Sequence, residues 1–516
     1  MVSSSQSSTD SSASGMRSAV SMRAARSRTW GPRTAGFFRP RVCTTTATAQ
    51  PCPPFPRGQA ALWLRPFAGD RVFERILIAN RGEVATRVAR TCRRLGIETV
   101  GVSVASEEGA LHVEACDEHV TVGEDASGYR DVQALVRAAK DAGVHAVHPG
   151  YGLLADEPEF AQAVESEGLV FVGPAAERFE AARDRLAVRA VARECGVRLL
   201  DGSERPILEP NEALPDVDRL GYAVVVKPVR GVGEPPELPI AADVAGLNEA
   251  LQALEPLAEH RGAYLERYVD RARHIEVQVI FDGEQALVLC DREVSVRRGH
   301  QRLLCESPAP ALNQLHHRDA VRGAIWDAAA EITTRLGCRG LASCHFVLDA
   351  DDVFYFVGFT PSLQLEHPTA EMCTGLDLVE MQLRLAVGES MPAEVTRAEA
   401  TGASLQARIE ASSDPETGRP FESRVESARW PPAPQGKVRI ETGIRQGTRV
   451  SPEHAATVAT VTTYAPNRHD ALLMLDRILA EIHVAPLVTN IRLLRKALNH
   501  ESLRAGQYDD GFLDRI

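Results

Sequence analysis

Residues Phe354–Pro368 read FYFVGFTPSLQLEHP, and this stretch decides the fold. Val353, Phe354, Tyr355, Phe356 and Val357 form an apolar, aromatic-rich run that predicts a buried strand. Gly358–Pro361 predicts a break in it, followed by a polar tail of Gln364, Glu366 and His367. In mixed α/β enzymes chemistry tends to sit at such strand ends, where a rigid element presents side chains to a cleft.

Working outward, the run is the return arm of a hairpin. SCHFVLD (343–349) supplies the other arm, Ala350–Asp352 the turn, and His316–Leu336 a helix before it. HIEVQVIFDG (274–283) alternates Ile275, Val277 and Val279 with His274, Glu276 and Gln278, which predicts a half-exposed strand. Asp282–Gly283 then turns the chain back into ALVLCDREVSV. Leu376–Val387 reads as a helix. Upstream, GYAVVVKP (221–228) is a strand that delivers Lys227 to a turn, followed by a helix across Val244–Leu257 and the strand AYLERYV (263–269). Nearer the start, ERILIAN (74–80) and ETVGVSV (98–104) are strands joined by a helix from Gly82 to Gly96. Strand, helix and strand at this spacing form a βαβ unit with a parallel sheet. VHAVHPGYG (144–152) and LVFVGP (169–174) extend it, and Asp184–Cys195 is a helix. From Ala403 the chain changes to short strands with Pro and Gly breaks and one helix, Asp470–Ile482. That pattern predicts a smaller α+β domain packed on the one before it.

Composition sets the outer limits. The 516 residues are too many for one core and imply two to four domains. A net charge of −12 argues against a general nucleic-acid binder, and no stretch nears 18 uninterrupted apolar residues, which argues against a membrane span. Residues 1–69 hold nine Arg, no Lys and the single acid Asp10, a net of +8, so the remainder carries −20. Such a Ser-, Ala- and Arg-rich segment reads as a disordered tail, a read-through from an upstream start codon, or an organelle transit peptide. The ten Cys include no CxxC pair, which points to reduced thiols in a cytosol-like compartment. A transit peptide would instead place the protein in the mitochondrial matrix or a plastid.

FERILIANRGEVATRVARTCRRLGI (73–97), HPGYG (148–152), ARHIEVQV (272–279), RRGHQRLLCESPAP (297–310) and LQLEHPTAEMCTGLDLVEMQLRLAVG (363–388) together resemble the biotin carboxylase family, an ATP-grasp fold. The resemblance runs from about Phe73 to Ile516. It implies an α/β and α+β architecture: a tail over 1–71, a Rossmann-like N-terminal domain over 72–183, and an ATP-grasp domain over 184–392. The ATP-grasp domain has its lid near 200–270, and a C-terminal α+β domain spans 403–516. Members of such a family use ATP and magnesium to activate bicarbonate, then carboxylate biotin held on a carrier domain. The implied partners are a second copy of the chain, a biotin carboxyl carrier protein and carboxyltransferase subunits. The sequence contains no Met-Lys-Met biotin attachment motif, so biotin is expected only as a substrate on a separate carrier.

Position by position, the resemblance assigns nucleotide binding to Lys227, Arg185 (a lysine in the family), Glu266, His274 and His300. Gly231 and Gly233 match a phosphate-binding loop, which Glu234 burdens with negative charge and Pro235 and Pro236 strip of two N–H donors. Glu366 matches the general base for bicarbonate. Gln364 and Arg302 (a lysine in the family) match its anion pocket, and Arg439 an arginine that steadies the biotin enolate. For Glu366 and His367, helix N-terminal capping is the competing reading. The two magnesium carboxylates fall on His345 and Gly358, the accompanying Asn on Thr360, and an anion-binding arginine on Ser362. Hard cations need oxygen ligands, so these exchanges argue against a magnesium site while leaving ATP as the expected nucleotide. Three readings follow: a diverged subunit with lost or reduced catalysis, a working biotin carboxylase, and a nucleotide-binding ATP-grasp protein with altered ligase chemistry.

Overall fold

The computed structural model describes residues 73–107, 109–230, 238–254, 262–299, 301–393, 395–412, 421–451 and 456–516. The apolar run at Arg75–Ile78 (β1) pairs in parallel with Glu98–Ser103 (β2) on one side and Ala146–His148 (β4) on the other. Glu118–Thr121 (β3) and Val170–Phe171 (β5) complete a sheet of order β3-β2-β1-β4-β5. The crossover helix Gly82–Leu95 buries Val84, Ala85, Val88, Ala89 and Cys92, as its periodicity predicts. It ends at Gly96, whose φ of 73° closes the last turn.

A small unit follows. Val224–Pro228 (β6) lies between Ile240–Ala241 (β7) and Ala263–Arg267 (β8), both antiparallel to it, over a separate core that includes Val224, Val226, Leu247 and Leu265.

The largest sheet is built on Arg273–Phe281 (β9), Ala286–Arg298 (β10), Gln301–Ser307 (β11), Gly340–Leu348 (β12), Phe354–Thr360 (β13), Ala403–Glu410 (β14), Val438–Thr442 (β15) and Thr457–Ala465 (β16). Its order is β13-β12-β9-β10-β11-β14-β16-β15. Two sequence expectations change here. First, β9 is interior rather than half exposed: Glu276 and Gln278 are each 1% exposed, because β12 and β10 flank the strand and further polar groups cover that face. Second, β13 does not break at Gly358 but pairs with β12 through Thr360, and a bulge beside His345 absorbs one residue. It is an edge strand on which Phe356 alone is fully buried. After Ala403 two further pairs of short strands stand apart, Ser423–Arg424 with Arg449–Val450 and Ser427–Arg429 with His483–Ala485. β14 pairs with β11 and carries the same sheet onward.

The helix Gly82–Leu95 is bound into the rest of the protein by charge. Arg87, 2% exposed, donates to Glu371 Oε1 (2.7 Å) and Asp377 Oδ1 (2.9 Å). Arg90 pairs with Glu441 at 2.6 Å and Arg94 with Glu380 at 2.6 Å. Gly443 lets β15 approach closely, since a Cβ there would lie 2.8 Å from Gly82 Cα. His148 and His367 are buried beside this cluster, with Arg87, Glu371 and Arg439 around them. Burial and then the Arg87 charge push His148 down to about 3, and burial pushes His367 down to about 4 against the pull of Glu371.

In the unfolded chain both imidazoles take up a proton near pH ~6.5. The native state refuses those protons until the pH is far lower, so stability is full above the unfolded value and falls as pH drops. The urea midpoint is expected to decline between pH 7 and pH 4.5, with a shallower slope in His148→Gln. A midpoint independent of pH over that range contradicts the burial of both neutral rings.

Candidate functional site

The site forms where β9, β10, β11, β12 and β13 carry their polar side chains to one face. Arg292 on β10 is fully buried. It donates to Glu276 Oε2 (2.8 Å), Gln278 Oε1 (2.9 Å), Ser343 Oγ (3.0 Å) and the Gln364 side-chain amide oxygen Oε1. Arg302 on β11 reaches the other Glu276 oxygen at 2.6 Å and lies 3.6 Å from Glu366. His345 Nδ1 stands 3.1 Å from the same Oε1, and its Nε2 is 2.8 Å from Thr360 Oγ1. Burial alone would raise the Glu276 carboxyl, but Arg302, then Arg292 and His345, hold it well below the usual carboxylate range.

The strand register explains why these groups meet. His345 is directly opposite Glu276 on one side and Gly358 on the other, so Glu276, His345 and Gly358 form a cross-strand row. Ser362, next along the tail, hydrogen-bonds Asp156 at 2.6 Å. Glu366 is 3% exposed, and its Oε2 meets no hydrogen-bond partner among the described residues. It stands at the N-cap of the helix His367–Thr374 but makes no side-chain cap bond, so the capping reading fails for it. His367 Nδ1, by contrast, is 2.8 Å from the Gln364 carbonyl.

A second group gathers at the edge of β6 and β8. Lys227 and Arg189 each pair with Glu266, which is 1% exposed, and Arg185 donates to the Pro228 carbonyl at 3.1 Å. Burial pushes Lys227 below the ordinary lysine range, and the Glu266 charge opposes it.

The residues singled out in the sequence therefore fall into separate places. Arg302, Gln364 and Glu366 meet in the Glu276 network. Lys227, Arg185 and Glu266 meet at the second group. His274, two residues from Glu276 on β9, stands 3.1 Å from Asp510 and feels the Arg302 charge, and Arg439 is paired with Glu371. Gly231, Gly233 and His300, with Glu234, Pro235 and Pro236, lie outside the described residues. Sequence reasoning missed Glu276, Arg292 and Arg189. An acid and a Gln spaced two apart in one strand, with an Arg in the next, were the available signal for the first two.

Comparison with known proteins gives one consistent result. The biotin carboxylase N-terminal domain matches residues 72–179, the ATP binding domain of the carbamoyl-phosphate synthase L chain matches 184–394, and the biotin carboxylase C-terminal domain matches 406–515. The mitochondrial methylcrotonoyl-CoA carboxylase subunit alpha of Arabidopsis thaliana is 33% identical over 452 residues, 86% of this chain and 61% of that protein. Biotin carboxylase 1 of Bacillus subtilis is 32% identical over 450 residues, 86% of this chain and 98% of that protein. The chain thus spans about three-fifths of the plant subunit. Among solved structures, the biotin carboxylase domain dimer of Hydrogenobacter thermophilus 2-oxoglutarate carboxylase, in complex with MgADP, ADP and bicarbonate, superposes with a TM-score of 0.81. It shares 28% identity, covering 86% of this chain and 98% of that one.

Among the described residues no group of three or more His, Cys, Asp or Glu is placed to hold a metal ion. The row's geometry would nevertheless accept carboxylates, since the nearest atoms to a Cβ on Gly358 belong to the His345 side chain, at 3.7 Å and beyond. The double variant His345→Glu/Gly358→Glu is expected to gain a manganese site, seen in electron paramagnetic resonance as loss of the free-ion signal. The unaltered chain is expected to leave that signal intact, and bound manganese there contradicts the donor argument.

Proposed function

This chain belongs to the biotin carboxylase family, and we propose that it is a subunit of a biotin-dependent acyl-CoA carboxylase whose own ATP-dependent carboxylation of biotin is lost or strongly reduced. The observation that carries this reading is the Glu276–His345–Gly358 row. Magnesium is held by hard oxygen donors, usually carboxylates. The row offers an imidazole whose two nitrogens already have partners, a glycine, and a Glu276 carboxylate shared by two guanidinium groups and that imidazole. These residues do not fit a magnesium ion. Ser362 stands where the family resemblance calls for an arginine, and a hydroxyl turned to Asp156 offers an anion far less than a guanidinium fork does.

The domain limits 72–183, 184–392 and 403–516 are part of the proposal, as are the roles of Arg302, Gln364 and Glu366 toward bicarbonate. The role of Arg439 toward the biotin enolate is proposed as well, and its pairing with Glu371 places it beside the helix Gly82–Leu95. The proposed partners are a second copy of the chain, a separate biotin carrier and carboxyltransferase subunits. The names of the plant and Bacillus relatives and the dimeric Hydrogenobacter domain support this. The eight described cysteines are unpaired, which supports a reducing compartment. A second reading, a nucleotide-binding protein with altered chemistry, is favoured by the cluster of Lys227, Arg185 and Glu266 at the β6–β8 edge.

Losing one preorganised donor costs roughly two to three orders of magnitude in rate, and groups that act as a unit do not add simply. With magnesium, ATP, bicarbonate and free biotin, the purified chain is expected to show no biotin-stimulated ADP release under conditions where the Bacillus relative turns over. Biotin-stimulated release at a comparable rate overturns the proposal.

A further inference from the structure

Arg189 sits on the helix Arg185–Glu194, yet its side chain turns inward and is 6% exposed. One guanidinium nitrogen pairs with Glu266, another donates to the Leu200 carbonyl at 2.8 Å, and the group lies 5.7 Å from the centre of the Tyr264 ring. Lys227 takes the second Glu266 oxygen, so both oxygens of that carboxylate are engaged. The surroundings leave little slack: a Cβ on Gly202 would lie 2.5 Å from the Leu265 carbonyl oxygen and 3.1 Å from Arg189 Nη2. Leu200 also belongs to a small apolar cluster with Ala272 and Val347, against which Val269 and Val357 pack.

A carboxylate, a backbone carbonyl, an aromatic ring and an adjoining apolar cluster are what a flat, N–H-bearing, hydroxylated ligand would need. A guanidinium is itself flat and carries N–H donors at its edges. Arg189 therefore meets, from inside the chain, the demand that such a ligand would meet from outside.

We propose that Arg189 is an internal occupant of the nucleotide cleft: it claims the Glu266 carboxylate and the Leu200 carbonyl that a purine nucleotide would use, and so keeps nucleotide affinity low. This rests on the reading that Glu266 and Lys227 face the nucleotide. Arg189 acts on affinity through Glu266, as a positioning residue, and takes no part in bond making. Dissociating it from Glu266 is costly because a buried charge loses its partner, and a nucleotide must meet that cost before it gains anything.

The test is equilibrium binding of ADP to the full chain by calorimetry, in chelator and without magnesium. The proteins are the unaltered chain, Arg189→Met and Arg189→Gln. Lys227 stays on Glu266 in both, so neither variant leaves that buried carboxylate unpaired, and the second remains informative where the first does not fold. At least one folded variant is expected to bind ADP about tenfold or more tightly than the unaltered chain, the scale of one charged hydrogen bond. A role in packing alone would lower the melting temperature without tightening ADP binding. Equal or weaker binding in every folded variant overturns the proposal. Biotin-stimulated turnover by the unaltered chain would sink the preceding reading instead, and leaves this binding comparison to be decided by its own result.

Discussion

A carboxylate removed from water needs positive charge or hydrogen-bond donors around it, and Glu276 meets this demand with two guanidinium groups and an imidazole. Arg292 holds one of its oxygens, while Arg302 and the His345 imidazole converge on the other. The chain brings these groups from four strands, so the requirements of one buried acid fix how β9, β10, β11 and β12 are decorated. Removing a single partner from such a network costs about 3–5 kcal/mol, because the charge left behind stays buried. A change at one position therefore cannot turn the network into a cation site without disturbing the rest. The same arrangement that makes the face rigid leaves it with two guanidinium groups where a divalent cation would need oxygens.

The same principle joins the parts of the protein. Arg87 reaches from the N-terminal helix to Glu371 and Asp377, and Arg439 reaches Glu371 from the sheet side. Burial would raise Asp377, but Arg87 holds it well below the ordinary aspartate range, so it stays charged in the interior. Framework and reacting groups are thus separable. The helix Gly82–Leu95, the shared sheet and the ion cluster form the scaffold, while Gly358 and Thr360 lie on β13 and Ser362 on its tail. The proposed loss of turnover rests on those three positions and not on the scaffold.

Much of the fold was legible in the sequence because period reports burial. Val84, Ala85, Val88, Ala89 and Cys92 mark one helical face, and the apolar run at Arg75–Ile78 marks an interior strand. The same logic misled at β9. Alternating apolar and polar residues look alike whether the polar face meets water or meets Arg292, and the arginine comes from a different strand. Gly358 resembled a strand end because a glycine in an edge strand and a glycine in a break have one signature. Glu366 looked like a helix cap because an acid before His367–Pro368 usually is one, yet its carboxylate turns toward Arg302. Arg189 gave no signal, since an arginine one position beyond the apolar Val188 reads as a solvent-facing side chain. Its partners, Leu200 and Glu266, lie 11 and 77 residues along the chain.

The central claim of the proposal is that Arg292 and Arg302 hold the Glu276 carboxylate of the Glu276–His345–Gly358 row in place of a divalent metal. Anomalous diffraction from crystals soaked in manganese and ADP addresses it directly. The account predicts no anomalous peak beside His345 and Gly358, with Arg292 and Arg302 still on Glu276. A peak ligated by Glu276, with either arginine displaced, would contradict it.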